Sequence, residues 1–256
     1  MADAFSPFDV LPGDPAQGVI LICDHARNVL PGGYSSLGLP ASELERHIAF
    51  DIGVDAVTRQ LAERLNIPAV LSKFSRLLID PNRGLDDPTL IMQVADGVVV
   101  AGNAEIDADE RQHRIDSYYR PYHSAVSGLI DQGLKTGVVP ALLSIHSFTP
   151  MWKGTPRPWH AGLLWDERDR RFCEALVAGL RQDPHLKVGD NEPYRGGLCG
   201  DTVDVHGTGR GLASALLEIR QDLIDDEAGV AEWVDRLAGL LPGIIALPQL
   251  HEQLAT

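Results

Sequence analysis

Two histidines and a late glutamate stand where apolar runs of the chain give out. His25 follows Gly18-Val-Ile-Leu-Ile-Cys23, His146 follows Pro140-Ala-Leu-Leu-Ser-Ile145, and Glu218 lies near the end of Ala213–Ile219. Two imidazoles and a carboxylate, with a fourth position left open, are the make-up of a catalytic zinc site, so one Zn2+ ion is the expected cofactor. His25 and His146 supply the imidazoles, and two residues compete for the third place. Asn28 stands at His-x-x-Asn spacing from His25, but a neutral amide is a poor zinc ligand. Asp51 is anionic, one helical turn beyond His47, and charge favours it. Glu218 sits in Ala-Leu-Leu-Glu-Ile-Arg, where an apolar strand should not carry an unpaired charge. It reads either as a general base that takes a proton from water and hands it to a leaving amine, or as the partner of Arg220 in an ion pair. Asn82-Arg83 follows a further apolar segment. The planar fork of arginine grips a carboxylate at two points, so Arg83, with Arg76 as a second candidate, could hold an acidic substrate.

These residues need a frame that brings them together. Gly18–Cys23 is a continuous apolar run, the pattern of a strand covered on both faces, and Pro140–Ile145 and Ala213–Ile219 read as further buried and central strands. Shorter strands are expected at about Ala69–Ser72, Val98–Val100 and Ala161–Trp165. Helical spacing predicts one long helix from an N-cap at Ser42 through Leu65, with Leu44, Ile48, Ile52, Ala56 and Leu61 on its apolar face, so that Asp51 lies on a helix. Further helices are expected over about Ile106–Lys135 with a break near Pro121, over Glu167–Leu180, and over Asp226–Leu241. Met151–Pro158 reads as a loop, and residues 188–212 as a long irregular segment. Strands alternating with helices predict an α/β fold with a largely parallel sheet between helical layers. In such sheets the ligand site lies beyond the carboxyl ends of the strands, which is where His25, His146 and Glu218 converge.

The chain has 256 residues, 44% of them hydrophobic, enough for one substantial core, and is expected to form a single domain over residues 1–256. A formal net charge of −14 argues against nucleic acid or an anionic membrane surface as partner. It also means that an acidic substrate needs a local cluster of arginines. The start, MADAFSPFDV, lacks the basic and apolar regions of a signal peptide, and no apolar run is long enough to span a bilayer. Three scattered cysteines fit a reducing compartment, so the cytoplasm is the expected location. Gly207-Thr-Gly-Arg-Gly211 precedes a strand instead of a helix, so it does not read as a phosphate-binding loop.

Six segments in this order resemble the N-formylglutamate amidohydrolase family: Cys23-Asp24-His25-Ala26-Arg27-Asn28, His47-Ile48-Ala49-Phe50-Asp51-Ile52-Gly53, Ser75-Arg76-Leu77 with Asp80-Pro81-Asn82-Arg83, Ile145-His146-Ser147-Phe148, Gly189-Asp190-Asn191-Glu192-Pro193-Tyr194, and Leu217-Glu218-Ile219-Arg220-Gln221-Asp222. The resemblance implies a three-layer α/β/α sandwich similar to zinc carboxypeptidases, with a mixed, mostly parallel sheet of about eight strands. It implies hydrolysis of the amide of a small N-formyl or other N-acyl amino acid, giving formate and glutamate in the reaction that names the family. It also implies that His25 and His146 bind metal, that Asn82 and Arg83 hold the substrate carboxylate, and that Glu218 is the base. Related enzymes carry Glu where this chain has Asn28, and the carboxylate role passes to Asp51. Two other readings fit the same residues: a binding protein for amino acids or peptides that has lost the metal, and a metallopeptidase for small peptides whose loop with Trp152, Arg157, Trp159 and Tyr194 stands open.

Overall fold

The computed structural model describes residues 5–255. The strands are β1 (Phe8–Leu11), β2 (Val19–Cys23), β3 (Ala69–Ser72), a hairpin of β4 (Val94–Ala95) and β5 (Val98–Val99), β6 (Ala141–Phe148), a second hairpin of β7 (Met151–Trp152) and β8 (Thr155–Pro156), β9 (Ala161–Leu164), β10 (Val188–Asp190) and β11 (Ser214–Arg220). The α-helices are α1 (Ala41–Leu44), α2 (Val54–Leu65), α3 (Ala108–Arg114), α4 (Arg120–Lys135), α5 (Arg171–Leu180), α6 (Thr202–His206) and α7 (Glu227–Ile245). Seven strands form one sheet in the order β1-β3-β2-β6-β11-β9-β10. β3, β2, β6 and β11 run parallel; β1 is antiparallel to β3 and β9 to β11, and β10 pairs parallel with β9. The sheet is therefore mixed and mostly parallel, with seven strands among the described residues where about eight were expected.

The alternation of side chains along a strand divides the core in two. Val19, Leu21 and Cys23 of β2, with Leu143 and Ile145 of β6 and Ala215 and Leu217 of β11, face one apolar layer, to which α2, α5 and α7 contribute. Ile20, Ile22 and Leu142 face the other, built on Tyr122, Val126 and Ile130 of α4. By the same period, Asp24, Ser144, His146 and Glu218 fall on the α4 side. Of these, His146 and Glu218 border a cavity, while Asp24 is covered by Tyr122 of α4 and Thr202 of α6.

Several local expectations change. The single long helix is broken: α1 ends at Leu44 and α2 begins only at Val54, capped by Gly53 at φ +83°. A side chain at position 53 would meet the Ile224 carbonyl at 2.1 Å, so glycine is required there for space as well as for conformation. Asp51 accordingly lies in the turn before α2, not on a helix. His146 lies inside β6, not beyond its end. Met151–Pro158 contains the β7–β8 hairpin, and the 188–212 stretch contains β10 and α6. The break expected near Pro121 is a π-helical turn, Ile115–Tyr119, that joins α3 to α4. The closing helix begins after its N-cap Asp226, as expected, but continues past Leu241 to Ile245.

Candidate metal centre and substrate cavity

His25, Asp51 and His146 come together in a buried cluster, each offering an atom within 4.8 Å of the others. Asp51 Oδ2 lies 2.9 Å from His146 Nδ1 and 3.4 Å from His25 Nδ1. Its position is fixed by backbone: the Asp51 N–H donates to the His25 carbonyl at 2.9 Å, and the Ser147 N–H donates to Asp51 Oδ2 at 3.3 Å. The two imidazole rings stand nearly perpendicular, at 80°.

Each histidine is held from behind by a buried carboxylate. His25 Nε2 lies 2.7 Å from Asp80 Oδ1, and His146 Nε2 lies 3.0 Å from Asp24 Oδ2. An ionised carboxylate can only accept, so both Nε2 atoms carry a hydrogen and both Nδ1 atoms are turned to the cluster; a cation that displaced the proton His146 Nδ1 shares with Asp51 would meet the tautomer a metal ligand needs. Asp24 is itself pinned by Tyr122 Oη, Thr202 Oγ1 and Ser144 Oγ, which donate to it at 2.9, 2.7 and 2.9 Å. Asp80 takes two hydrogen bonds from Arg76, at 3.1 and 2.7 Å. Burial by itself would raise these carboxyls. The surrounding cations outweigh it and hold them well below the ordinary carboxylate range: His146 for Asp24, the two imidazoles for Asp51, Arg76 and His25 for Asp80. Burial opposes a charge on His146, yet Asp24 and Asp51 hold its pKa well above the usual value. Three buried carboxylates thus face one guanidinium, and the protein makes up the deficit by drawing protons onto imidazole. A divalent cation among the Nδ1 atoms would fill the same deficit, and the donor set of two imidazoles and a carboxylate suits zinc.

Asn28 is turned away from the cluster. Its amide donates to the Leu44 carbonyl at 2.8 Å and to Glu45 at 3.3 Å, so Asp51 alone occupies the third position. Glu218 pairs with His146 across β11 and β6 and lines the same cavity. Arg220 is not its partner, being engaged by Asp222 at 2.8 Å. Glu218 Oε2 is buried without any hydrogen-bond partner among the described residues. Burial pushes its carboxyl up to about 7, with the charge of Asp51 acting in the same direction against the nearby imidazoles.

The cavity above these groups encloses about 380 Å³. Asn82, Arg83 and Arg76 all line it. Arg83 makes no side-chain ion pair or hydrogen bond among the described residues; only its backbone is engaged, the carbonyl by Tyr119 Oη at 2.9 Å and the N–H by the Asp80 carbonyl at 3.2 Å. Asn82 accepts the Thr202 N–H at 3.0 Å, which leaves its own amide hydrogens free of partners among the described residues. Arg76 is committed to Asp80 and, at 3.5 Å, to Asp51. Of the 189–210 segment, Tyr194 and Arg195 line the cavity. Asn191 braces the turn by accepting the Gly196 N–H at 2.8 Å. His206 packs instead against His123, and Arg210 pairs with Asp131. Arg157 is buried under the mouth, its guanidinium 5.0 to 5.6 Å from the ring centres of Tyr194, Trp152 and Phe148.

A model of the N-formylglutamate amidohydrolase family matches residues 17–225, which is most of the chain and contains every residue of the cluster. The chain belongs to the N-formylglutamate amidohydrolase family. The crystal structure of gene product Atu2144 from Agrobacterium tumefaciens is similar over 96% of this chain and 97% of that one, with a TM-score of 0.88 and 32% identity. The N-formylglutamate amidohydrolase from Ralstonia eutropha JMP134 shares the fold at 22% identity, with a TM-score of 0.73 over 94% of this chain and 98% of that one. No curated protein matches the sequence. No helix among the described residues is long and apolar enough to cross a membrane.

The sequence reading passed over the backing carboxylates. Asp24 and Asp80 stand in the quoted segments, yet neither received a role. The signal was present for Asp24, which continues the α4-facing alternation of Ile20 and Ile22 where only apolar residues are otherwise tolerated. Arg195, exposed on a glycine-rich loop, carried no such signal.

Proposed function

We propose that this member of the family is a zinc-dependent hydrolase of the amide bond in small N-formyl or other N-acyl amino acids, of which N-formylglutamate is one example. The observation that carries the reading is the pair of histidines, each with Nε2 donated to a buried carboxylate and Nδ1 turned to Asp51, beside a glutamate with an unpartnered buried oxygen. His25, Asp51 and His146 would hold the ion. Bound there, zinc supplies Lewis acidity, polarising the amide carbonyl and lowering the pKa of water to about 7.

The remaining chemistry belongs to the chain. Arg83, with the free amide of Asn82 beside it, takes the substrate carboxylate and answers the net charge of −14 locally. Arg76 holds Asp80 and Asp51 in place. Glu218 accepts the proton of the attacking water as the new C–O bond forms, and delivers it to the departing nitrogen as the C–N bond breaks. The products are a carboxylic acid, formate for a formyl substrate, and the free amino acid. A carboxyl with a pKa near 7 is suited to both directions of transfer at neutral pH.

The test is to assay the zinc-loaded protein on N-formylglutamate beside a panel of N-acyl amino acids and dipeptides, with Glu218→Gln in parallel. Hydrolysis of N-acyl amino acids is expected. Removing a general base should lower kcat by roughly 10²–10⁴-fold, while metal content stays at the wild-type level. Near-normal turnover by the Gln variant removes Glu218 from the mechanism, and no turnover by a fully loaded protein overturns the hydrolase reading.

A further inference from the structure

One apolar cluster belongs to neither main core. Leu164 at the end of β9, Val203 on α6 and Leu216 on β11 pack together at 5%, 5% and 6% exposure, and all three line the cavity. Leu216 and Glu218 lie on the same face of β11, so this apolar floor begins beside the carboxyl that faces the cluster. Leu198, half exposed, stands over the floor from the 191–201 loop.

The grip for a carboxylate is fastened to this floor. The Thr202 N–H donates to Asn82 Oδ1 at 3.0 Å, and Thr202 Oγ1, whose hydrogen goes to Asp24, lies 3.3 Å from the Pro81 carbonyl. Gly84 and Gly200 pass so closely that a side-chain carbon on Gly200 would lie 2.6 Å from Gly84 Cα. Asn82 and Arg83 are therefore tied to the residue before Val203 through a backbone hydrogen bond and a glycine contact. A substrate carboxylate held by them would bring its α-carbon toward the floor, which offers the substituent on that carbon an apolar seat within the same cavity. The fixed charges nearby are of the wrong sign for a second carboxylate. Asp201, which caps α6, and Asp166, which is held by Arg168, both line this part of the cavity. Arg195 is the remaining arginine lining the cavity, and it is exposed at the mouth.

We infer that the amino-acid half of the substrate carries a neutral, apolar side chain, of the size of leucine, methionine or phenylalanine, seated on Leu164, Val203 and Leu216. The inference rests on the amidohydrolase reading and narrows it: a side-chain carboxylate is disfavoured on this floor.

The experiment compares kcat/KM of the zinc-loaded protein for N-formyl-leucine, N-formyl-methionine, N-formyl-phenylalanine and N-formylglutamate. The best apolar substrate should exceed N-formylglutamate at least tenfold, within the span that an apolar pocket can discriminate, roughly 10–200-fold. Val203→Lys, which places an ammonium on the floor, should lower the apolar substrates at least tenfold and raise N-formylglutamate, with the melting temperature reporting that the fold survives. Equal or greater activity on N-formylglutamate by the wild type overturns the inference. If the loaded protein cleaves none of the four, the hydrolase reading fails. Calorimetric binding of leucine against glutamate then still decides the side-chain assignment, and tighter binding of glutamate overturns it.

Discussion

Asp24→Asn tests the arrangement of the metal centre at its most specific point. The change keeps the shape of the side chain but replaces Oδ2, which accepts from His146 Nε2 at 3.0 Å and from Ser144 Oγ at 2.9 Å, with an N–H donor. An asparagine that keeps Oδ1 toward Tyr122 and Thr202 must therefore donate to His146 Nε2, and the imidazole is driven to carry its hydrogen on Nδ1. That is the atom 2.9 Å from Asp51 which the ion requires. The variant should weaken zinc binding at the upper end of the 10–100-fold range typical of lost backing carboxylates, about 2–3 kcal/mol. Tyr122→Phe removes a hydrogen bond to the same carboxylate without altering its charge or the tautomer, and should change zinc affinity by less than about threefold while costing stability of about 1–3 kcal/mol. Affinity is measured by competition with a chromophoric chelator on metal-free protein, with unfolding curves in parallel. A folded Asp24→Asn protein that binds zinc within twofold of wild type would refute the tautomer argument, as would equal losses in the two variants.

Two further outcomes follow from the surroundings of the site. Gly53→Ala should destabilise the metal-free protein by at least about 2 kcal/mol in urea unfolding, because the left-handed backbone costs a residue with a side chain about 1–2 kcal/mol and the added carbon meets Ile224 O at 2.1 Å; a loss below about 0.5 kcal/mol would mean that the turn before α2 relaxes freely. His206 and His123 form a buried neutral pair, 2.8 Å apart, closed at its far end by the Pro81 carbonyl. Burial, with His123 acting in the same direction, pushes the His206 pKa down to about 3. A lowered folded-state pKa stabilises the fold above the unfolded value near 6.5 and loses that contribution as pH falls. Unfolding free energy should thus drop by about 2 kcal/mol at pH 5 on this account, and His206→Gln should remove most of that drop; an unchanged pH profile in the variant counts against the assignment.

The parallel core of the sheet and the two histidines could be read from sequence because β2, β6 and β11 are predominantly apolar, and a charged or imidazole side chain within or just after such a run has few structural explanations. Charge singles out Asp51 over Asn28, and Asp51 does lie with the two histidines, but the helix on which its spacing places it does not exist at that point. The apolar spacing of Leu44, Ile48, Ile52 and Ala56 continues through the break, since Ile48 is buried and Ile52 partly buried in turns just as Leu44 and Ala56 are partly buried in helices, and only the contact between Gly53 and Ile224 reveals where the helix must stop. For Glu218 the sequence leaves base and ion pair open, and the structure removes the Arg220 pair by engaging Arg220 with Asp222. The apolar floor could not have been found beforehand: Leu164, Val203 and Leu216 come from three elements, and each alone looks like an ordinary core residue.

The manner in which His146 is held bears on how the protein acquires its ion. His146 lies in the middle of the sheet, between β2 and β11, and its neighbours Asp51 and His25 reach it only across separations of 95 and 121 residues along the chain. Closing those long connections carries an entropic cost, and the sheet with its two apolar layers is large enough to meet it. On the proposed reading, the pocket for a metal would then be a product of folding and not its cause. Small zinc domains fold only as they bind; here the scaffold stands first, so that a chelator should strip the protein without melting it, and a single folded population can be emptied and reloaded in turn.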